Sequence, residues 1–262
     1  MVALGTEMNN LKEGKYIYCI IQNSNFMDFG HFGIGERGDK VYTICFQDIS
    51  AVVSDSPIKK YSALRKDLIP HESVIEEVMK TFTVLPVRFS TIAEDEDKVK
   101  MILEGEHDRF VDLLKYMEGK KELGLKAIFK SNDVIYKDIL EKYEDIKALK
   151  EKVAILPPEV SYYQRVEIGK MVESALKNEK EICKNDILKT LSPLAVEVKT
   201  IDTYGNQMII NSAFLVEKHK EAEFDQKVNE YIDKYEYKID FKYVGTVPPF
   251  NFVNLVINVG EY

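Results

Sequence analysis

The 262-residue chain has no tryptophan and only three cysteines, Cys19, Cys45 and Cys183. None of these forms a CxxC spacing, so neither a disulfide framework nor a thiolate metal clamp is indicated. A sparse, odd set fits a reducing compartment, where free cysteine behaves as a small buried hydrophobe. Positive charge is also short: 36 Lys+Arg against 44 Asp+Glu leave a net charge of −8. Division after Lys126 leaves −4 in each half, so no basic domain hides inside the acidic average. Pairs such as Lys59-Lys60 and Lys120-Lys121 are too short to supply the concentrated cationic footprint that a nucleic-acid backbone demands. The longest clear apolar run, Tyr16 to Ile21, falls far below the roughly 18 residues of a membrane span. The opening MVALGTEMNNLKEGK lacks the basic and apolar regions of a secretory signal, so the expected location is the cytoplasm.

What is present is an ordinary globular composition, 45% hydrophobic and 31% charged. After a polar lead over residues 1–14, expected to be flexible, KYIYCIIQ at residues 15–22 reads as a strand apolar on both faces and therefore central in a sheet. Residues 41–46 and 49–54 follow as strands separated by Gln47 and Asp48, a hairpin signal. Ile75, Val78, Met79 and Phe82 recur at helical spacing within an expected helix over 67–82. A short strand at 84–87 precedes a second helix from about Asp95, which Gly119 should end as a C′ residue. In the second half the pattern predicts a strand at 123–129, helices at 132–150 and 158–191, strands near 196–199 and 208–217, a helix from about Lys220 and a last strand carrying Ile239, Phe241 and Tyr243.

The fold class expected is α+β with two domains, 15–122 and 123–262. The strand–helix order of the second, βαββαβ, is ferredoxin-like, and the first reads as a ferredoxin-like variant with helices on one face of its sheet; both carry long helices.

Chemical motifs are few. Gly33-Ile34-Gly35-Glu36-Arg37-Gly38 is a literal GxGxxG, but pyrophosphate binding needs a helix after the glycines, and Lys40–Ile44 reads as a strand. His71-Glu72 resembles the start of a zinc-protease helix, yet the second ligand position, one turn on, is Ile75, a core-stripe residue. Glu94-Asp95-Glu96-Asp97 suits a helix start, where carboxylates complement the macrodipole, and lacks the oxygen-ligand spacing of a calcium loop. With no GxSxG and no activated nucleophile pattern, no catalytic, cofactor-binding or metal site is expected.

Two apolar segments stand apart. TVLPVRFST at 83–91 interrupts a strand with Pro86 and sets Arg88 among apolar neighbours, which points to a sheet edge or a bulge. YVGTVPPFNFV at 243–253 follows Pro248-Pro249 with Phe250 and Phe252. From the residues alone these are docking surfaces or rigid loops packed on the core.

These segments resemble the gas vesicle protein F/L family (GvpF/GvpL). AVVSDSP at 51–57, HESVIEEVM at 71–79, LPVRFST at 85–91, ELGLK at 122–126, NSAFLV at 211–216 and the closing YVGTVPPFNFV match it in order and spacing, from about residue 15 to 257. Ser90 stands where the family often has Gly, and Thr246-Val247 replace its usual Pro-Trp. The resemblance implies a non-enzymatic accessory or minor structural protein of gas vesicles. It would bind the hydrophobic shell protein GvpA, with other gas vesicle accessory proteins as further candidate partners, limit GvpA aggregation and assist nucleation or assembly, residing in the cytoplasm before assembly and then with the vesicle. Partner contact is expected at Pro86, Arg88, Phe89, Pro248, Pro249, Phe250 and Phe252, by capping of shell-protein strands at an exposed sheet edge or by groove docking. Replacing Phe250 and Phe252 together is expected to spare the fold. The competing reading is a small-molecule-binding regulator or an enzyme with a pocket between two ferredoxin-like domains, lined by Arg88, His71 and Glu72. An RNA-binding module would use the rings of Tyr16 and Tyr18, against the charge balance.

Overall fold

Glu13–Gln22 forms the first strand, β1, and every residue from Tyr16 to Ile21 is fully buried. The structure, a computed structural model, describes residues 12–35, 37–257 and 259–261. A strand buried on both faces needs neighbours on both edges and layers above and below. β4 (Ile49–Pro57) lies on one edge, and β5 (Val84–Pro86) and β6 (Ile92–Ala93) pair along the other. β3 (Lys40–Phe46) and β2 (Asp28–His31) extend the sheet to the order β2-β3-β4-β1-β5, all antiparallel. The β3–β4 hairpin turns through Gln47-Asp48 as expected. Gln47 adopts φ +51°, which suits the right-handed strand twist that two-residue hairpin loops must match.

α1 (Arg65–Met79) buries His71, Val74, Ile75 and Val78 against one face of this sheet. The register of β1 against β4 shifts between Ile17 and Cys19, so Tyr18 is an extra residue. Such a bulge switches which parity of side chain faces a given side. Tyr16 and Tyr18 before it, and Cys19 and Ile21 after it, therefore share one cluster with α1. α2 (Glu96–Gly105) and α3 (His107–Met117) also lie along β1 and β4, and their Val99, Leu103, Phe110 and Leu114 are buried outside that cluster. They cover the opposite face. This corrects the expectation of helices on one face: β1 is apolar on both sides and each side requires a cover. The single helix expected after Asp95 is these two, parted at Glu106; Asp95 caps α2 by accepting from the Lys98 N–H at 2.9 Å, and Gly119, at φ +70°, follows α3. Of the expected flexible lead, residues 1–11 lie outside the described residues. The rest of it is structured: Glu13 and Gly14 lie in β1, and Lys12 pairs with Glu94 at 2.9 Å.

The second sheet has the order β10-β7-β9-β8. Its strands are β7 (Lys120–Phe129), β8 (Glu197–Thr200), β9 (Met208–Glu217) and β10 (Ile239–Val247). Between β7 and β8 run α4 (Asn132–Lys142), α5 (Glu144–Ala154) and α6 (Tyr162–Leu191); α7 (Glu221–Tyr235) joins β9 to β10. The helix expected over 132–150 breaks at Tyr143, whose backbone is extended. Its hydroxyl donates to Glu179 at 2.9 Å, and Lys142 adds an ion pair at 2.6 Å. This satisfies the one acidic side chain that α6 buries. Leu123, Leu125, Phe129, Leu191, Phe214, Phe224 and Val228 form the core of this half.

The chain divides into two units. One comprises residues up to Lys121 together with those from Thr246; the other is Glu122–Gly245. This corrects the expected assignment of everything after residue 122 to the second domain. Beyond β10, Pro248-Pro249 redirect the chain, and Leu255 forms a parallel bridge with Val87 of the first unit. Among the described residues no helix is long and apolar enough to cross a membrane.

Candidate partner-binding site

Backbone hydrogen-bond directions explain the proline in LPVRFST. The Val87 N–H points inward and donates to the Tyr18 carbonyl at 2.9 Å, whereas the next N–H, of Arg88, points outward to the Leu255 carbonyl at 3.4 Å. N–H groups alternate along a strand, so Pro86 occupies an outward position where its missing donor costs the ladder nothing. The outer edge at Val87 is therefore met by this chain's own closing segment. Strand addition by a partner is not available at that point, which corrects the expectation of an open edge there.

Behind this edge sits His71, 1% exposed, with rings around it. Tyr18 stacks at 5.8 Å between centroids; Tyr16, Phe89 and Phe250 lie at 5.7, 5.5 and 6.1 Å. The Tyr16 hydroxyl meets His71 Nδ1 at 3.1 Å and accepts the Ser90 N–H at 2.9 Å. Tyr18 pairs with Ser54 Oγ at 2.8 Å and accepts from the Ile34 N–H at 2.6 Å. Burial holds the imidazole down to about 4; the Val87 carbonyl, which favours the charged form, offsets only part of this. Nε2 has no hydrogen-bond partner of standard geometry among the described residues. His71 is thus a neutral core histidine. Tyr16 and Tyr18 are buried and offer no stacking face to a nucleic acid.

Ser90 closes the turn after Arg88 in the left-handed region, at φ +67°. A glycine adopts this backbone freely, whereas another residue is strained by about 1–2 kcal/mol. Ser90 recovers part of that through its Oγ, which accepts the Tyr61 N–H at 3.2 Å. Ser90→Ala keeps the strain and loses the bond, so a loss of about 1 kcal/mol is expected. Ser90→Gly exchanges bond for relief and is expected to change stability by less than about 0.5 kcal/mol. Urea titration of both variants checks this; equal losses would refute it.

In front, Pro86, Arg88, Phe250, Val253, Asn254, Leu255 and Val256 line a cleft of about 150 Å³. Of the seven residues singled out in the sequence, Pro86, Pro248, Pro249 and Phe252 are buried, Phe89 is half-buried, and only Arg88 and Phe250 are exposed. Pro86, Arg88 and Phe250 come together at the cleft; Phe89 joins through the histidine cage. His71 and Glu72 do not line it. Sequence reasoning stopped at Val253 and missed Leu255 and Val256. Their signal was the alternation Val253, Leu255, Ile257 after the prolines, a strand pattern too short to weigh. The GxGxxG segment links β2 to β3, strand to strand, without the helix that phosphate binding needs.

Residues 14–254 match the family model described as gas vesicle synthesis protein GvpL/GvpF. The chain belongs to the GvpL/GvpF family. Gas vesicle protein F of Dolichospermum flosaquae is 27% identical over 92% of this chain and 97% of its own length, and that of Nostoc sp. strain PCC 7120 is 27% identical over 82% and 88%. Gas vesicle protein L of Streptomyces sp. strain CB03234 is 38% identical, but over only 22% of this chain and 21% of its own. The crystal structure of GvpF from Anabaena sp. PCC7120 superposes with a TM-score of 0.79 at 25% identity, covering 94% of this chain and all of that one. GvpF from Microcystis aeruginosa gives 0.72 at 24% identity, over 92% and 99%, and shares the fold. Membership of the GvpL/GvpF family implies a gas-vesicle-associated role.

Proposed function

We propose that this chain is an accessory protein of gas vesicle formation that binds the hydrophobic shell protein GvpA, limits its aggregation and assists nucleation or assembly. It would act in the cytoplasm before assembly and then at the vesicle. The observation that carries this reading is the cleft mouth, where Phe250 and Val256 stay 38% and 43% exposed beside Arg88. Exposed apolar side chains gathered at a concave site mark interaction surfaces. In this reading Phe250 and Arg88 contact the partner, while Pro86, Phe89, Pro248, Pro249 and Phe252 hold the surface in shape. The net charge of −8 would keep a complex with a very hydrophobic subunit in solution. The second unit is read as ferredoxin-like, supported by its strand–helix order and by the sheet order β10-β7-β9-β8. A regulator or enzyme binding a small molecule at this cleft is disfavoured by size, since about 150 Å³ lies below the roughly 300 Å³ at which drug-sized ligand pockets begin.

The test is co-expression with tagged GvpA, followed by pull-down and measurement of soluble GvpA. Wild type is expected to co-purify and to raise soluble GvpA. Phe250→Ser, at an exposed position, is expected to reduce recovery severalfold while lowering the melting temperature by no more than a few degrees. Absence of association by folded wild type would overturn the proposal.

A further inference from the structure

The cleft of the first unit combines an apolar lining with one cation. Arg88 is exposed, and among the described residues its guanidinium has neither an ion pair nor a side-chain hydrogen bond. Of the unit's other arginines, Arg37 holds Glu13 at 2.7 Å and Asp39 at 2.9 Å and Arg109 holds Glu106 at 2.8 Å, while Arg65, exposed at the start of α1, does not line the cleft. A purely apolar partner seated here would strip water from the Arg88 guanidinium and return nothing for it, which is costly. A partner that brings a carboxylate converts the same desolvation into a charge-assisted, bidentate bond. Backbone pairing at the adjacent edge is already used by Leu255, so recognition must run through side chains. The volume admits one or two aliphatic side chains rather than a cofactor.

We infer that the cleft bounded by Pro86, Phe250 and Val253–Val256 takes an apolar peptide segment bearing a carboxylate, with Arg88 pairing the acid and Phe250 covering the apolar side chain. This deepens the reading of the chain as a binding protein, because it names the chemistry of the segment that is bound.

The experiment is selection from a random heptapeptide display library on the immobilised full chain, followed by fluorescence anisotropy on the enriched peptides. Enrichment of Asp or Glu flanked by aliphatic or aromatic residues is expected. Arg88→Glu should weaken those peptides at least tenfold and Arg88→Lys less, in line with loss of the fork but not of the charge. Changing the peptide's Asp or Glu to its amide should weaken binding to wild type severalfold but strengthen binding to Arg88→Glu, where it relieves the like-charge pair. Because Arg88 is exposed, circular dichroism and melting temperature should not move. Selection without acidic–apolar enrichment, or enriched peptides indifferent to Arg88, would overturn the inference. Preference for inorganic phosphate over peptide in competition would overturn it equally. The GvpA pull-down separates the two claims: GvpA binding that survives Arg88→Glu removes the cleft chemistry and leaves the accessory role, whereas Arg88-dependent peptide selection without GvpA binding does the reverse.

Discussion

Replacing Phe252 with Ser is expected to lower the stability of the first unit by about 3–5 kcal/mol, the usual cost of emptying a buried aromatic site. Phe252 is only 9% exposed, and its N–H donates to the Pro249 carbonyl at 3.1 Å, so its ring roots the closing segment in the fold. Serine would leave a cavity and introduce a hydroxyl there. Phe250, two residues earlier, is 38% exposed, and its replacement should cost less than about 1 kcal/mol. Denaturant titration of the two single variants distinguishes them, with the effect in the transition assigned to the first unit. Similar losses for both would show that Phe252 is not an anchor. The contrast also means that a Phe250/Phe252 double variant cannot test binding, contrary to what the sequence suggests, because it would damage the fold.

A second large effect is expected from pH. His71 has its imidazole held at about 4 by burial, against about 6.5 in an unfolded chain. Between those values the unfolded state binds a proton that the folded state refuses, so stability falls as pH drops through this window and is fully present above it. A shift of that size corresponds to about 3 kcal/mol lost between pH 7 and pH 4. Glu72, next in sequence, acts with opposite sign: partial desolvation and Glu76 raise its carboxyl, a contribution lost as pH rises. Urea midpoints measured from pH 7 to pH 4 should fall steeply for wild type, and His71→Asn should remove most of the pH-dependent component while being less stable at pH 7. Parallel pH profiles for the two proteins would show that His71 does not titrate in this way.

Much of the fold was legible where burial is two-sided or strictly periodic. The run from Tyr16 to Ile21 announced a strand covered above and below, and the two-residue gap at Gln47-Asp48 announced a hairpin. β9 runs over Met208–Glu217 as its apolar run predicts. Helix breaks were not legible. The apolar stripe passes through Glu106 and Tyr143 without interruption, because consecutive helices can share one buried face even when the backbone between them turns. β2 was missed because it spans only Asp28–His31 and contains Gly30 at φ +108°. At the candidate site, Pro86, Arg88 and Phe250 were visible as chemistry out of place in an apolar run. Leu255 was not, since one isolated parallel bridge to a residue distant in sequence leaves no period to read.

The return of the chain to Val87 after Gly245 bears on the order of events during synthesis. The ribosome releases β5, Arg88 and His71 long before Phe250 and Leu255 emerge, and all of Glu122–Gly245 is made in the interval. Until Phe250 and Leu255 emerge, the outward N–H of Arg88 lacks its partner and one face of His71 lacks its ring, and the second unit is free to fold first. The cleft therefore forms only after the second unit has been made. It comes into being only when the whole chain from β1 to Leu255 has been made, so a nascent or prematurely ended chain cannot present it.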